Sequence, residues 1–541
     1  MEKIIINGKA LLETGEFAEA IAIDNGYIKA VGTTAEVLKL KSEQTRIIDV
    51  DGKMVLPGFN DSHLHLYNLG SFLSSLNLYG LTSIEAIIDA GKKYISTHNL
   101  GHNQTVIGRG WNQDYFTDEK RILNRHDLDK ISTDFPIYFK RACGHVTVCN
   151  TKALELVGIT AKTPQVLGGV FEIGTDGLPN GVFNENAQNL IEELEPEVAL
   201  EMVKDYIKLG AKHALENGIT SVQTNDFTYG RPEHPFIIQA YQELIDSKEL
   251  PLRICLQCCF DEPSSFMDFI NQGYHTGYGT KQFKIGPLKL FADGSLGART
   301  ALMRSDYHDE PNNKGVACLT FEQLNEMITL ANDNKFQVIV HAIGDEAISR
   351  VLTCYEGIYD PESNNPLRHG INHCQITDTS MLERFKDTDT IAYVQPIFLH
   401  YDLHIVEDRV GNELAQTSYG FRTMEDLGIK TAYGTDAPVE DLSPFECMYC
   451  AITRKDLSGY PKKGFYPNEV VSIDAAINRY TMGSAYASFE EDIKGTIAVG
   501  KLADLVVIDK DLFTIDVDEV KNVKVALTMI GGEIVYQEDS R

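Results

Sequence analysis

The second half of the chain alternates short apolar runs with segments of helical periodicity. Seven runs of strand length follow residue 218: ITSVQT (219–224), LRICLQCCF (252–260), LKLFADG (288–294), QVIVHAIG (337–344), GINHCQI (370–376), IAYVQP (391–396) and KTAYGTD (430–436). Between them lie amphipathic segments such as TFEQLNEMITLANDNK, in which apolar residues recur every three or four positions. Near-continuous apolar strands that alternate with helices are typical of a parallel sheet buried on both faces.

An eighth strand is predicted upstream, where the apolar run KMVLPGF leads into NDSHLH. Eight βα units are what a closed (β/α)8 barrel of the TIM type requires. The pattern therefore predicts an α/β fold in which residues 53–494 form the barrel domain.

The first and second predicted barrel strands are separated by a long stretch, residues 70–200. It has strand-like pieces of its own, QTVIGRG and FPIYFKRACG, and a glycine-rich section, GGVFEIGTDGLPNGVF. We therefore expect a large insertion after strand 1. Insertions at the C-terminal mouth of such barrels commonly shape the substrate pocket.

The two ends of the chain resemble each other more than they resemble the middle. Residues 1–52 and 495–541 both carry short alternating strands separated by turns, as in VALTMIGGEIVYQ. Neither end is long enough to bury a core alone. We expect the two ends together to form one small β-sandwich, with the barrel inserted between its halves.

Composition narrows the class of partner. The net charge of −29 argues against nucleic acid and anionic membranes as partners, because their phosphates would be repelled. The N-terminus lacks the apolar core of a signal peptide, and the ten cysteines are scattered, which fits reduced thiols in a cytoplasm. A small-molecule substrate and a cytoplasmic location are therefore expected, while the oligomeric state is left open, with a homodimer as one option.

Two histidines stand one residue apart at the end of the first barrel strand, in LPGFNDSHLH. Residues i and i+2 of a strand point to the same side, so His63 and His65 could direct both rings at one point. Two imidazoles aimed at one point suit a divalent metal ion. The other interpretation is a pair of exposed loop histidines.

Further polar residues fall on the other predicted strands: Lys289 within strand 4, His341 at the end of strand 5, His373 on strand 6 and Asp436 at the end of strand 8. Each has an ordinary explanation when taken singly, such as a hydrogen-bonded core histidine or an aspartate that begins a turn. Because the C-terminal strand ends of a barrel converge on one mouth, the joint pattern predicts a single polar site.

The order HxH, Lys, His, His, Asp over strands 1, 4, 5, 6 and 8 resembles the amidohydrolase superfamily. The phrases GFNDSHLH, KLFADGSLGARTA, HAIGDEA and GTDAPVE are similar to those of its amidohydrolase-3 group, which includes N-substituted formamide deformylases. The C-terminal KGTIAVGKLADLVVID is similar to the closing β-sandwich segment of those enzymes. The resemblance covers essentially the whole chain.

The resemblance implies a metal centre and a role for each residue. His63 and His65 would bind the more buried ion, and His341 and His373 would bind a second ion. Asp436 would contact the first ion and the hydrolytic water and act as general base. Many relatives carry CO2 on the lysine that corresponds to Lys289, which gives a carbamate between the two ions.

The same resemblance implies a divalent metal cofactor, one or two ions per chain. Zinc is the default, and manganese, iron or nickel are alternatives. The implied reaction is hydrolysis of a C–N bond in an amide or an N-formyl or N-acyl amine. Other reactions on the same barrel stay open, namely an esterase or lactonase, an isomerase or a decarboxylase, and so does a non-catalytic relative that has lost its metal.

Three residues of the insertion are candidates for substrate contact: Trp111 in GRGWNQD, His145 in ACGHVTVCN and Glu185 in GVFNENA. Trp111 is the only tryptophan, and a packing role is its other interpretation. Glu185 could instead bridge the metal ions if Lys289 is unmodified.

Overall fold

The computed structural model of the chain describes residues 1–98, 100–101, 104–141, 146–166, 169–194, 199–227, 234–260 and 262–538, apart from the side chains of residues 114, 185, 186, 192 and 193. Strands of the N-terminal part are β1 (Lys3–Ile6), β2 (Lys9–Leu11), β3 (Phe17–Ala18), β4 (Ala20–Asp24), β5 (Tyr27–Gly32), β6 (Arg46–Asp49), β7 (Met54–Pro57) and β8 (Phe59–Leu64). Strands of the middle part are β9 (Leu76–Asn77), β10 (Val106–Trp111), β11 (Ile137–Arg141), β12 (Val146–Cys149), β13 (Gly169–Ile173) and β14 (Pro179–Glu185).

The remaining strands are β15 (Ile219–Thr224), β16 (Arg253–Cys259), β17 (Phe283–Phe291), β18 (Val338–Ala342), β19 (Gly370–His373), β20 (Ile391–Val394), β21 (Thr431–Tyr433), β22 (Leu505–Ile508), β23 (Val525–Ile530) and β24 (Glu533–Gln537). The α-helices up to the third barrel strand are α1 (Thr34–Val37), α2 (Leu66–Ser74), α3 (Ile84–Thr97), α4 (Arg125–Asp129), α5 (Thr151–Leu156), α6 (Leu200–Glu216) and α7 (His234–Asp246). Those that follow are α8 (Pro263–Asn271), α9 (Phe321–Asp333), α10 (Asp345–Ile358), α11 (Thr379–Asp387), α12 (Leu399–Asp402), α13 (Val406–Ala415), α14 (Phe421–Asp426), α15 (Pro444–Thr453), α16 (Ile473–Asn478) and α17 (Ser484–Ala487).

Eight parallel strands form the barrel, in the order β21-β20-β19-β18-β17-β16-β15-β8. Its two ends meet just beyond β21, where the Asp436 backbone N–H donates to the His63 carbonyl at 2.8 Å and the His65 N–H donates to the Ala437 carbonyl at 2.8 Å. The predicted (β/α)8 fold is confirmed. The strands are buried on both faces, which explains their continuous apolar runs.

The first predicted strand is in fact two strands. The run KMVLPGF breaks at Gly58, so that β7 pairs with β22 and β2 in a terminal sheet while β8 pairs with β15 in the barrel. A Cβ at Gly58 would lie 2.3 Å from the Thr220 side chain, so glycine permits the close approach at which the chain passes from one sheet to the other. The single strand expected there was wrong, because apolar periodicity alone does not show a change of sheet.

The two chain ends contribute strands to one shared sheet, which is one layer of the sandwich that the sequence predicts. β24, β23 and β22 from the C-terminus continue through β7 into β2 and β3 from the N-terminus. A second sheet has the order β5-β4-β1-β6. Apolar residues from both ends bury one another between the sheets, among them Ile21, Val55, Leu505 and Met529. The fold class, including this terminal sandwich, is confirmed.

The chain divides into two compact units, Met1–Leu66 with Ala211–Arg541, and Tyr67–Gly210. The second unit has its own six-stranded sheet, in the order β13-β14-β12-β11-β10-β9, and its own apolar core around Ile87, Val106 and Phe139. It corresponds to the insertion expected at 70–200. Among the described residues, no helix combines the length and the apolar character that crossing a bilayer requires.

Candidate metal centre

The six polar residues predicted for the site all lie at or near the C-terminal ends of barrel strands. His63 lies in β8 and His65 directly after it, Lys289 and His341 lie near the ends of β17 and β18, and His373 ends β19, while Asp436 follows β21. Because the C-terminal ends of the barrel strands converge, the fold brings these six residues to one mouth although they lie far apart in the sequence.

Three of these side chains form a compact group of possible metal ligands. One ligand atom each from His63, His373 and Asp436 lie within 4.8 Å of one another, and all three residues are buried. Asp436 Oδ1 is 3.3 Å from His63 Nε2 and 3.2 Å from His65 Nε2. The His341 and His373 ring centroids are 4.4 Å apart. The structure therefore brings the predicted residues together.

The hydrogen bonds on the far side of each ring define which nitrogen faces the site. His63 Nδ1 donates to Gln257 Oε1 at 2.9 Å, and His65 Nδ1 donates to the Asn225 carbonyl at 2.7 Å. His373 Nδ1 donates to Gln395 Oε1 at 2.8 Å. Since a neutral imidazole carries one proton, these bonds leave each of the three Nε2 atoms with its lone pair. The lone pair of His373 Nε2 accepts a hydrogen bond from Asn372 Nδ2 at 3.0 Å.

In His341 the two ring nitrogens have exchanged roles. Its Nε2 donates to the Gly294 carbonyl at 2.9 Å, so its Nδ1 keeps the lone pair. Burial and the nearby Lys289 ammonium lower the pKa of His63 to about 4 and that of His341 to about 3. The neutral imidazole is the form that binds metal ions.

A divalent ion fits this donor set for a reason that the structure itself shows. Asp436 Oδ1 is buried and has no hydrogen-bond donor in the part of the chain that the structure describes, although the Nε2 atoms of two imidazoles lie beside it. A carboxylate oxygen and imidazole lone pairs are all electron donors, so a cation among them offsets their mutual repulsion. Against the effect of burial, the Asp436 carboxylate also raises the pKa of His65. Histidine and carboxylate donors suit zinc and other first-row divalent metals.

Lys289 is the anomalous member of the group. Its side chain is fully buried in β17, with Nζ 3.5 Å from His63 Nε2 and 5.0 Å from the centre of the Phe291 ring. Among the described residues, no carboxylate oxygen lies within 4.0 Å of Nζ. Burial lowers the pKa of Lys289 to about 8. A buried ammonium without an ion pair is costly.

Two of the proposed ligands have unusual backbone conformations. His373 has φ of 81° and Asp436 has φ of 60°, both in the left-handed region that residues other than glycine rarely adopt. Such a conformation costs on the order of 1–3 kcal/mol and persists only where its surroundings enforce it. For Asp436 that enforcement includes the backbone bond to the His63 carbonyl that closes the barrel.

The buried carboxylate of Asp61 is hydrogen-bonded to two residues at the mouth of the barrel. It accepts hydrogen bonds from the Thr435 backbone N–H at 3.0 Å, from the Thr435 hydroxyl at 2.8 Å and from the His63 N–H at 3.1 Å. Burial raises the pKa of Asp61 to about 7 against the effect of these bonds. Asp61 thus ties the first barrel strand to the loop that carries Asp436.

Two of the three predicted substrate contacts, Trp111 and Glu185, belong to the second compact unit. Trp111 ends β10 and is fully buried in that unit's core, where its indole Nε1 donates to the Phe139 carbonyl at 3.2 Å. This placement agrees with the packing role that the sequence left open. Glu185 ends β14, and only its backbone is among the atoms that the structure describes. His145 lies outside the described residues.

Sequence reasoning missed the residues that orient the imidazoles. Gln257 and Gln395 are buried and hold His63 and His373 by their side-chain oxygens. A signal was present, because a glutamine interrupts the apolar run RICLQCCF and another ends IAYVQ. This signal does not identify the site by itself, because Gln223 in β15 is also a buried glutamine and donates to the Ser484 carbonyl.

Comparison with known proteins agrees with the geometry. The sequence profile of the amidohydrolase family matches residues 46–536. The Bacillus subtilis protein YtcJ is 33% identical over 534 residues, which are 98% of each chain. An N-substituted formamide deformylase from Arthrobacter pascens is 26% identical, over 96% of this chain and 95% of that enzyme.

Among solved structures, an uncharacterized metal-dependent hydrolase from Pyrococcus horikoshii OT3 superposes with a TM-score of 0.77 and 27% identity, over 95% of this chain and 99% of the other. The shared length includes the terminal sheets, the barrel and the second unit. The chain belongs to the amidohydrolase family.

Proposed function

We propose that the protein is a metal-dependent hydrolase that cleaves the C–N bond of an amide or of an N-formyl or N-acyl amine. The observation that carries the proposal is the buried group of His63, His373 and Asp436, in which an unpaired carboxylate oxygen faces imidazole lone pairs. The similarity to the formamide deformylase supports the choice of bond.

Within this proposal the residues divide into two ligand pairs. His63 and His65 would bind one ion together with Asp436, whose Oδ1 is within 3.3 Å of both Nε2 atoms. His373 and His341, whose rings are adjacent, would bind a second ion where two are present. Zinc is the ion that we propose, because imidazole and carboxylate form its usual ligand set.

The reaction needs activation of water and a proton for the leaving nitrogen. A bound divalent ion polarises a carbonyl and lowers the pKa of a coordinated water to about 7. We assign the proton transfer to Asp436, since its Oδ1 is a buried acceptor without a donor among the described residues and lies within 3.3 Å of the Nε2 atoms of His63 and His65. The same carboxylate then protonates the departing amine, which is a poor leaving group as an anion.

We further propose that Lys289 carries a carboxylated Nζ. The neutral amine forms an N–C bond with CO2 and releases a proton, so that a buried cation becomes an anion. This change would offset the cost of burying Lys289 without a carboxylate partner, because an anion is stabilised beside bound cations. High-resolution diffraction from crystals grown with bicarbonate tests it; density for a bare ammonium in a metal-loaded site contradicts it.

The test of the function is metal analysis of the purified protein followed by a substrate screen. The panel contains N-formyl amines, N-acyl amino acids, cyclic amides, esters and lactones. We expect release of an amine from at least one N-acyl compound, lost on chelation and restored by added zinc. Hydrolysis of esters or lactones alone contradicts the C–N assignment, and a protein without metal affinity contradicts the whole proposal.

A further inference from the structure

A second buried carboxylate stands behind the metal centre and has no role in the proposed reaction. The Asp293 side chain, in the loop after β17, is 0% exposed. It accepts three backbone hydrogen bonds: from Leu302 at 2.8 Å, from Ile343 at 3.1 Å and from Gly344 at 2.8 Å. Asp293 therefore joins the loop after β17 to the loop that follows His341 on β18.

The same carboxylate reaches His341 on the side of the ring that faces away from the site. Asp293 Oδ1 is 3.6 Å from His341 Nε2, and the next residue, Gly294, accepts the Nε2–H bond at 2.9 Å. Two consecutive residues thus surround one ring nitrogen with a carboxylate and a carbonyl. Both groups favour the tautomer that keeps the lone pair on Nδ1.

The outward nitrogens of His63, His65 and His373 have neutral acceptors, whereas that of His341 lies beside a carboxylate. Their outward nitrogens donate to the amide oxygens of Gln257 and Gln395 and to the Asn225 carbonyl, which are neutral groups. In the described part of the site, only His341 has a carboxylate beside the nitrogen turned away from the group. Burial raises the pKa of Asp293 to about 7 against the effect of its three backbone bonds. In its carboxylate form Asp293 makes the opposite nitrogen of His341 a stronger donor to a metal ion.

The geometry around Asp293 leaves little room for it to move. A Cβ at Gly294 would lie 2.2 Å from Thr300 Oγ1, and a Cβ at Gly344 would lie 2.1 Å from the Leu302 carbonyl oxygen. Backbone packed this closely fixes the loop after β17 against the loop after β18. The position of the Asp293 carboxylate relative to His341 is therefore set by the fold.

We propose that Asp293 is a positioning residue for His341: it orients the imidazole and increases the donor strength of Nδ1 toward a bound ion. This inference rests on the proposed metal centre. Loss of such an outer partner typically lowers metal affinity or activity by about 10–100-fold. Because the proposed effect acts through His341, it should disappear when His341 is replaced, whereas a general effect on folding would remain.

The experiment is a double-mutant cycle read as metal affinity. The wild type, Asp293→Asn, His341→Asn and the double variant are stripped of metal and titrated with cobalt against a competing chelator, and the visible spectrum is recorded. We expect Asp293→Asn to weaken binding by about 10–100-fold in the wild type and by no more than about 3-fold once His341 is gone. The ligand-field bands of the Asp293→Asn variant should also shift.

Asp345→Asn is the matched control. Asp345 is also a buried aspartate, and it accepts a backbone bond from Arg304 of the same loop at 2.9 Å, but the structure records no contact between it and a histidine. Its metal affinity should stay within about 3-fold of the wild type. Circular dichroism in urea measures the stability of every variant separately.

Four results would overturn the proposal. One is an unchanged affinity in Asp293→Asn, and another is an equal loss with and without His341, which would show an effect on the fold alone. If Asp293→Asn does not fold, Asp293→Ser replaces it in the cycle, and failure of both assigns the residue to loop folding and overturns a role in positioning. A wild-type protein that binds no cobalt removes the proposed function as well.

Discussion

The clearest consequence of the site geometry concerns Gln257, a buried glutamine that the sequence did not mark as functional. Its Oε1 accepts the Nδ1–H of His63 at 2.9 Å, and its Nε2 donates to the Ser62 carbonyl at 3.2 Å. Gln257→Met keeps the length and approximate volume of the side chain and removes both polar atoms. His63 then has no acceptor for Nδ1–H in a fully buried position.

The size of the effect follows from these two bonds. Leaving one buried donor unsatisfied costs about 1–3 kcal/mol. The imidazole can escape that cost by turning or by moving its proton to Nε2, and both responses spoil Nε2 as a ligand. We therefore expect Gln257→Met to lower metal affinity by about 10–100-fold, which corresponds to about 1.4–2.7 kcal/mol.

Gln223→Met is the control on the neighbouring strand. Gln223 is equally buried in β15, and its Nε2 donates to the Ser484 carbonyl at 2.8 Å without touching a histidine. It should lose about 0.5–1.5 kcal/mol of stability and keep its metal affinity. Chelator competition and urea unfolding are measured on both variants. Equal metal affinities for the two variants would refute the reasoning about His63.

Three further outcomes are expected. Asp436→Asn keeps the shape and one ligand oxygen but loses the basic carboxylate, so kcat should fall by at least about 10²-fold with much of the metal retained; near-normal turnover would reject its role. Asp504→Ala leaves the buried Arg253 without its bidentate partner and should cost about 3–5 kcal/mol in urea unfolding. A chain shortened at residue 494 loses β22 to β24, half of the shared terminal sheet, and should not fold; full activity in that shortened chain would contradict the shared sandwich.

Strand positions were the part of the fold that the sequence showed most directly. The run predicted at 219–224 is β15 itself, and all six of its positions are buried although four of them are polar. The strand predicted from residue 288 instead begins at Phe283. Gly286 and Pro287 precede residue 288, and proline has no N–H for a ladder bond. The barrel accommodates them with a shift of register between β16 and β17.

The candidate ligands were visible in the sequence, but their partners were not. A histidine at a strand end can be recognised from the apolar run before it, whereas the group that receives its other N–H depends on which strand lies alongside. Gln257 is 194 residues from His63, and only the neighbouring positions of the barrel strands bring them together. The left-handed backbone at His373 and Asp436 is likewise a product of tertiary contacts and has no sequence signature.

Substitution of Lys289 allows an effect on stability to be separated from an effect on metal binding. Another lysine of the same strand, Lys284, serves as the internal control. Lys289 is fully buried and has no carboxylate within 4.0 Å among the described residues, whereas Lys284 has Glu490 at 3.3 Å. Replacing a buried ion pair by apolar side chains of similar volume is often neutral or stabilising by about 1–4 kcal/mol, while removing one partner of a buried pair destabilises the protein. A buried charge without a partner lacks even the attraction of the pair, so its replacement should stabilise the protein.

Lys289→Met should therefore raise the stability of the metal-free protein in urea and at the same time weaken metal binding, since the site loses its lysine. Lys284→Met should lower stability, because Glu490 then loses one of its two ion-pair partners among the described residues and keeps Lys494, and should leave metal binding unchanged. The two substitutions are chemically identical and lie five positions apart on β17, so opposite signs cannot come from a change in strand propensity. If both variants lose stability, Lys289 is a structural residue and its burial needs no metal to explain it.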